Sequence, residues 1–473
     1  MAALSNAPQV ALVILVVVLI FNLIIFVHEL GHFWAAKWRG LKIDRFQIWF
    51  GKPIWSTTIN GVQYGLGWIP AGGFVALPQM APMEAIEGGN LDREPLAPIK
   101  PIDKIIVAFA GPLFSFLLAL CAALIVTVWG KPADTIPTTV VGSVMPDGPA
   151  AKAGIQRGDK ILKVNDNPVD VWAGTLDSVF MRVATSEGEK IEFTIDRPGV
   201  GEMKVGSEFE IAPSKWWQRR STRNVGMLPI GRRVVIAGFS GENAPAEKAG
   251  LKEGDEVISV NGVPAQSTVQ ITSMIREGGE KPVEFAIKRG SETKQFTITP
   301  RVPVEFPSDE KPRPMIGVGF DDDVAEDTAI VHPSALHQMA DSVRTMWVTI
   351  TSVISPRSSI GIDQLSGPVG IIKIKFLMLL MDHPWQRIIA FMVLLNINLA
   401  ILNMMPLPVL DGGHITLAVL EQLKGRPVRA KVLEFVQIGF AMLLFSLMLY
   451  VTSKDLFDGV GRGRSGKIVF PAN

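Results

Sequence analysis

Phe26-Val27-His28-Glu29-Leu30-Gly31-His32 closes an apolar run in which Val10 to Val27 carries no charge. That run is about one bilayer crossing long. On a helix, His28 and His32 fall one turn apart on one face, the arrangement by which two imidazoles grip a metal ion. Glu29 lies beside them, placed to take a proton from a water at that metal. Ionisable groups at membrane depth are costly and mark function. The bland reading, a histidine pair satisfying a helix end, stands against this until other parts of the chain supply context.

The bulk numbers define that context. A chain of 473 residues has room for several domains, and 48% apolar residues suggest membrane spans. A charged fraction of 19% is too high for a bare membrane bundle, so a sizeable aqueous part is expected as well. The net charge of +1 excludes nucleic acid as a main partner. The single cysteine, Cys121, sits in an apolar run and allows no intramolecular disulfide. The first apolar run has no basic region before it and no small-residue cleavage site after it, so a retained span is expected.

Three further stretches are long enough to cross: about Ile105 to Trp129, Ile388 to Leu410 and Val432 to Val451. Lys37, Arg39, Lys42, Arg45 and Lys52 follow the first, and Lys100 and Lys104 precede the second. Lys424, Arg426, Arg429 and Lys431 lie between the last two. The positive bias assigns both loops to the cytoplasmic side, leaving the N-terminus, residues 131–385 and the C-terminus outside. The C-terminal ends of the first and third spans then emerge at one face.

At the end of the third span stands Leu402-Asn403-Met404-Met405-Pro406-Leu407-Pro408-Val409-Leu410-Asp411-Gly412-Gly413. A catalytic zinc needs a third protein ligand and one open position. Asp411 is the leading candidate, and His414, nearer the water interface, competes. Asp411 could instead cap a helix starting near His414. Pro406 and Pro408 prevent a regular helix, and broken backbone at this depth survives only when it lines a cavity or packs in protein. Asn398 and Asn403 could hold the freed backbone or a substrate strand, whereas Asn396 reads as packing between spans.

The segment from Pro149 to Asn165, PAAKAGIQRGDKILKVN, returns from Pro245 to Asn261 as PAEKAGLKEGDEVISVN. Roughly half of the positions are identical, which indicates two copies of one module. Ala-Gly, Gly-Asp and an alternating strand ending at Asn read as a short helix, a turn and a strand. The pattern resembles PDZ domains attached to bacterial proteases, which bind an extended peptide or a C-terminus by strand addition. Steric filtering and peptide binding remain equal alternatives.

Between the first two spans, Asn60-Gly61 marks a hairpin turn, and Val62, Tyr64, Leu66 and Trp68 alternate as in a strand. Such an aromatic hairpin could dip into the bilayer and hold a substrate strand at the edge formed by residues 62–68, or simply cover the site. Leu336, Met339, Val343, Met346, Trp347, Ile350 and Ile354 recur at helical spacing, predicting an amphipathic helix on the outer membrane surface or against the spans.

Together these residues resemble the site-2 protease family of intramembrane zinc metalloproteases. The carriers are HELGH in the first span and Asn403-Met-Met-Pro406-Leu-Pro408-Val-Leu-Asp411-Gly-Gly in the third, with Ile69–Val75 and Leu365–Ile371 as further similar segments. Two PDZ modules between the second and third spans are similar to the regulator of sigma-E protease branch. The resemblance implies Zn²⁺ held by His28, His32 and Asp411, with Glu29 as base and Asn398, Asn403, Pro406, Val62, Tyr64, Leu66 and Trp68 near the substrate. It departs at Gly111-Pro-Leu-Phe-Ser115, where the family usually ends in Asn. It implies a transmembrane-helix protein as substrate, anti-sigma-factor-like or a signal-peptide remnant, and a multi-pass location in a bacterial inner membrane with the PDZ modules periplasmic and the active site toward the cytoplasm.

The expected fold is a polytopic α-helical membrane protein of four transmembrane helices, with a membrane-associated β-hairpin and two tandem α+β PDZ domains. The expected order is a first helix (1–36), a hairpin region (37–100), a second helix (101–130), PDZ modules (136–205 and 222–302), an amphipathic helix (333–357), a third segment (385–413) and a fourth helix (430–453). The rival reading is a catalytically silent membrane anchor for peptide-binding PDZ domains. A transporter would need more spans and a polar path.

Overall fold

The computed structural model describes residues 7–80, 99–306, 312–425, 430–457 and 468–471. Arg426 and Arg429, used above for orientation, lie outside the described residues, as do residues 81–98 of the hairpin region. The chain divides into two compact units. One comprises residues 1–132, 330–349 and 366–455, and the other residues 133–329, 350–365 and 456–473.

Four helices among the described residues are long and apolar enough to cross a membrane, Val13–Arg39, Pro101–Trp129, Pro384–Asn403 and Val432–Phe457, and all but the last two residues of the fourth belong to the first unit. The first two pack through glycine. A Cβ on Gly31 would overlap the Ala110 carbonyl and sit 3.0 Å from Phe114 Cβ, so only hydrogen lets these helices come this close. The third helix stops at Asn403 and a new one, Asp411–Lys424, begins after an irregular stretch. The prolines at 406 and 408 explain the break.

Pro368–Leu380 forms a further helix that the sequence reading did not separate out. At 13 residues it is short of a crossing. Its start explains the Ser-Gly-Pro segment. Pro368 occupies the first turn, and Asp455 Oδ2 accepts the Gly367 and Gly370 amides at 3.0 and 2.8 Å, satisfying donors a helix start leaves free. The amphipathic stripe forms the helix Ala335–Ile354. Met339 and Met346 are buried there, whereas Leu336, Trp347 and Ile354 are exposed.

The hairpin consists of Arg45–Ile59 and Val62–Ala76, turning at Asn60-Gly61 with both residues at positive φ. Its register corrects the expectation for its edge. Gln63–Leu66 are paired on both sides, with Arg45–Ile48 and with Trp55–Thr58, while Arg45–Ile48 also pair with Gly73–Ala76. Residues 63–66 are therefore interior, and 73–76 form an outer strand.

The second unit holds the two repeats. In the first, strands run 167–168, 160–164, 191–197 and 201–207 across the sheet. In the second, the order is 292–298, 283–289, 256–260, 234–239 and 318–322. Fully buried Phe193 and Phe285 occupy equivalent cores, each contributing on the order of 2 kcal/mol by apolar burial. The boundary expected at 222 falls differently. Met227–Pro229 pairs with Val141–Val144, and Val225 and Met227 are buried in the first core. The second sheet instead takes Val318–Asp322 from beyond residue 302.

The repeated Gly-Asp and Asn have matching structural roles. Asp159 accepts Arg197 Nε and Nη2, both at 2.8 Å, and the Gln156 amide at 2.8 Å. Asp255 accepts Arg289 Nε and Nη2, both at 2.7 Å, and the Lys252 amide at 2.8 Å. Asn165 and Asn261, both at positive φ, each accept one amide of the next strand, Glu192 and Glu284, at 2.9 Å.

Candidate metal centre

His28 and His32 lie one helical turn apart on the first span, with their Nε2 atoms 3.2 Å from one another. Asp411, the first residue of its helix, brings Oδ2 to 3.2 Å from His28 Nε2 and Oδ1 to 3.3 Å from His32 Nε2. One ligand atom from each residue falls within 4.8 Å of the others. His414 lines the adjoining cavity but is not one of this group.

The other ring nitrogens show why these atoms suit a cation. His32 Nδ1 lies 2.8 Å from the Val107 carbonyl, which can only accept. The proton of neutral His32 is thus on Nδ1, and Nε2 presents a lone pair toward Asp411. His28 Nδ1 lies 2.9 Å from Ser115 Oγ, whose hydroxyl can accept in the same way. Two imidazole lone pairs and a carboxylate then converge, and Asp411 Oδ2 is buried without a hydrogen-bond partner. Such a nitrogen and oxygen donor set, with outer partners orienting the rings, fits Zn²⁺.

Glycines let the backbones come this close. A Cβ on Gly111 would overlap His32 Nε2 and sit 2.8 Å from His28 Nε2. Gly412 and Gly413 face the carbonyls of Met404 and Leu407 so closely that any side chain would collide with them. The broken stretch is also held from the fourth span, where buried Gln437 donates from Nε2 to the Pro408 carbonyl at 3.2 Å. That support comes from glutamine, not from the asparagines: Asn396 bonds the Met392 carbonyl of its own helix, and Asn398 Oδ1 has no hydrogen-bond partner.

A cavity of about 960 Å³ opens beside the cluster. His28, Glu29, His32, Asn403 and Asp411 line it, facing Gly72–Val75 and Phe50–Pro53 of the hairpin. The Val75 amide hydrogen-bonds the Glu29 carboxylate. Asn403 Nδ2 lies 3.3 Å from His28 Nε2. The other expected substrate residues are elsewhere. Val62 and Tyr64 pack on the Phe33–Phe46 cluster, and neither they nor Leu66 or Trp68 line the cavity: Tyr64 and Leu66 lie in the interior strand, and Trp68 is exposed beyond it. Pro406 borders a separate groove of about 230 Å³ with Val432 and Val436. Ser115, Val107, Gly111 and Gln437 were not singled out as site-forming from sequence. Only the Gly-Pro segment of the second span, residues 111–115, hinted at Gly111 and Ser115.

The model of peptidase family M50 matches residues 16–446, nearly the whole chain and both halves of this site. The chain belongs to peptidase family M50. The M50 chain is 29% identical over 456 residues to a Neisseria meningitidis serogroup A protein named "Putative zinc metalloprotease", covering 91% of this chain and 96% of the relative. It is 27% identical to Protease RseP of Yersinia pestis, over 90% of this chain and 94% of that one. It is 26% identical to Regulator of sigma E protease of Salmonella typhi, over 91% and 95%. A solved PDZ domain from a Listeria monocytogenes SdrC-like protein aligns with 19% of this chain and 90% of its own, at 23% identity and a TM-score of 0.17. This M50 chain is accordingly a zinc metalloprotease with membrane-spanning helices.

Proposed function

We propose that this protease cleaves membrane-spanning segments of single-span proteins, with His28, His32 and Asp411 holding Zn²⁺ and Glu29 acting as general base. The observation that carries the reading is the convergence of two oriented imidazoles and Asp411 on one cavity that also contains Glu29. When bound, zinc supplies Lewis-acid polarisation of the scissile carbonyl and eases deprotonation of the attacking water. Glu29 takes that proton and passes it to the leaving amine, while the Val75 amide keeps its carboxylate oriented. A substrate helix buries its carbonyls in hydrogen bonds and must unwind locally first. The outer strand 73–76 offers an unwound segment a backbone to pair with, and Asn403 offers a polar contact at the metal end.

The positive bias of the loops supports an active site toward the cytoplasmic face of a bacterial inner membrane, with the two repeats outside. The repeat pattern supports reading both modules as PDZ domains that bind peptide or exclude substrates with bulky outer domains. The name of the Salmonella relative, Regulator of sigma E protease, supports a substrate that acts in sigma-factor regulation, such as an anti-sigma-factor-like protein. The test is Glu29→Gln, assayed with a single-span substrate in proteoliposomes. Cleavage should fall at least about a hundredfold with zinc content unchanged. Undiminished cleavage by the zinc-loaded variant would overturn the mechanism.

A further inference from the structure

The cavity contains two cations for which the proposed chemistry has no use. Arg45 and Lys52 line it together with His28, Glu29, His32 and Asp411. Two neighbouring cations of the same unit are matched: Arg39 pairs with Asp103, and Lys104 with Glu421. Arg45 is half-buried, and among the described residues its side chain makes one hydrogen bond, from Nε to the neutral Gln63 Oε1 at 3.0 Å. Among the described residues, neither Arg45 nor Lys52 meets a carboxylate. A guanidinium has five N–H donors, and those beyond Nε remain for whatever enters.

The position of Arg45 relates it to the reaction. Its backbone pairs with Ala76, the residue after Val75, whose amide holds Glu29. Neighbouring strands lie about 4.8 Å apart. Arg45 thus enters the cavity one strand in from the outer strand 73–76, within a few residues' reach of a peptide paired there. Glu29 and Asp411 make one end of the cavity acidic before metal binds, and Arg45 and Lys52 make the hairpin wall basic. A partly buried cation without a counter-charge is best matched by an anion, and a carboxylate meets guanidinium with two parallel hydrogen bonds.

We propose that Arg45, assisted by Lys52, reads a carboxylate on the substrate, so that the preferred substrate is a membrane span with Asp or Glu within a few residues of the cleaved bond. This deepens the function proposed above and rests on it. The same charges disfavour Lys or Arg at that substrate position.

The test uses the full-length, zinc-loaded protein in phosphatidylcholine vesicles. Single-span substrates differ only in carrying Glu, Gln or Lys at positions walked along both sides of the cleaved bond. Wild-type protein should prefer Glu over Gln about tenfold in kcat/KM at one position, mainly through KM. Arg45→Gln should bring that ratio close to one, Arg45→Lys should retain part of it, and Arg45→Glu should reverse it in favour of Lys. A loss of fold alone would lower all substrates together and could not reverse the order. A ratio near one at every position in wild type, or an unchanged ratio in both Arg45→Gln and Lys52→Gln, overturns the inference. If adding phosphatidylglycerol changes cleavage of the Glu and Gln substrates equally, and this effect alone is lost in Arg45→Gln, the cations serve lipid phosphate and the inference fails. Cleavage of the Gln substrate by wild type tests the underlying protease reading separately.

Discussion

Ser115 Oγ lies 2.9 Å from His28 Nδ1, linking the second span to a ring carried by the first. The hydroxyl fixes the ring's orientation and leaves Nε2 facing Asp411. Ser115 is fully buried, so no bulk water replaces it. A hydroxyl serves there because it can accept from Nδ1–H.

Ser115→Ala should therefore weaken zinc binding without removing a ligand. Loss of an outer-shell partner of this kind typically costs about 10–100-fold in metal affinity. Competition with a chelator of known affinity measures it. Ser115→Thr, which keeps the hydroxyl, should retain more of the affinity than Ala. Equal zinc affinity in wild type and Ser115→Ala would remove Ser115 from the site.

Gly111→Ala should be far more damaging than its size suggests. The new methyl would occupy the space of His32 Nε2 and crowd His28 Nε2, so the imidazoles could not converge. Zinc content of the purified variant should fall to background, and cleavage with it. Gly439→Ala on the fourth span, where a Cβ meets nothing within 4 Å, is the matched control and should keep both.

Gln437→Leu tests the support beneath Asp411. The substitution preserves bulk but leaves the Pro408 carbonyl without its donor, in a stretch whose prolines already limit backbone bonding. An orphaned buried carbonyl costs about 1–3 kcal/mol. Thermal unfolding should shift downward, and zinc affinity should fall because Asp411 begins the helix that follows this stretch. Unchanged values for both would show that the loop holds itself.

What could be read from the chain alone followed the range of the interaction concerned. HExxH is a local spacing on one helix, and Asp411 follows from asking which acidic residue ends another span. The orienting partners of the two rings depend instead on how the first span packs on the second, which no local spacing encodes. The hairpin shows the same limit. Asn60-Gly61 locates the turn, yet nothing local says that Arg45–Ile48 pair with residues from both arms and leave 73–76 outermost. Arg197 and Arg289 escaped notice for a related reason, because each lies beyond the matching seventeen-residue segment that contains its aspartate.

Those two arginines lead to a pH prediction. Burial pushes the Asp159 and Asp255 carboxyls up, but hydrogen bonds from Arg197 and Arg289, aided by the Gln156 and Lys252 amides, hold both below the usual range. A carboxyl whose folded pKa is depressed binds protons more readily when unfolded. Its stabilising contribution is therefore complete above the unfolded value of about 3.9, and is lost as pH falls from there through the folded value. In the full-length protein, hydrogen-exchange protection of strands 160–164 and 256–260 should be flat from neutrality to about pH 5 and fall steeply below about pH 4. Asp255→Asn should lower protection of 256–260 at neutral pH and flatten its acid dependence, while 160–164 still titrates. If both strands in that variant kept the wild-type profile, the aspartate–arginine pairs would not be what ties each module to pH.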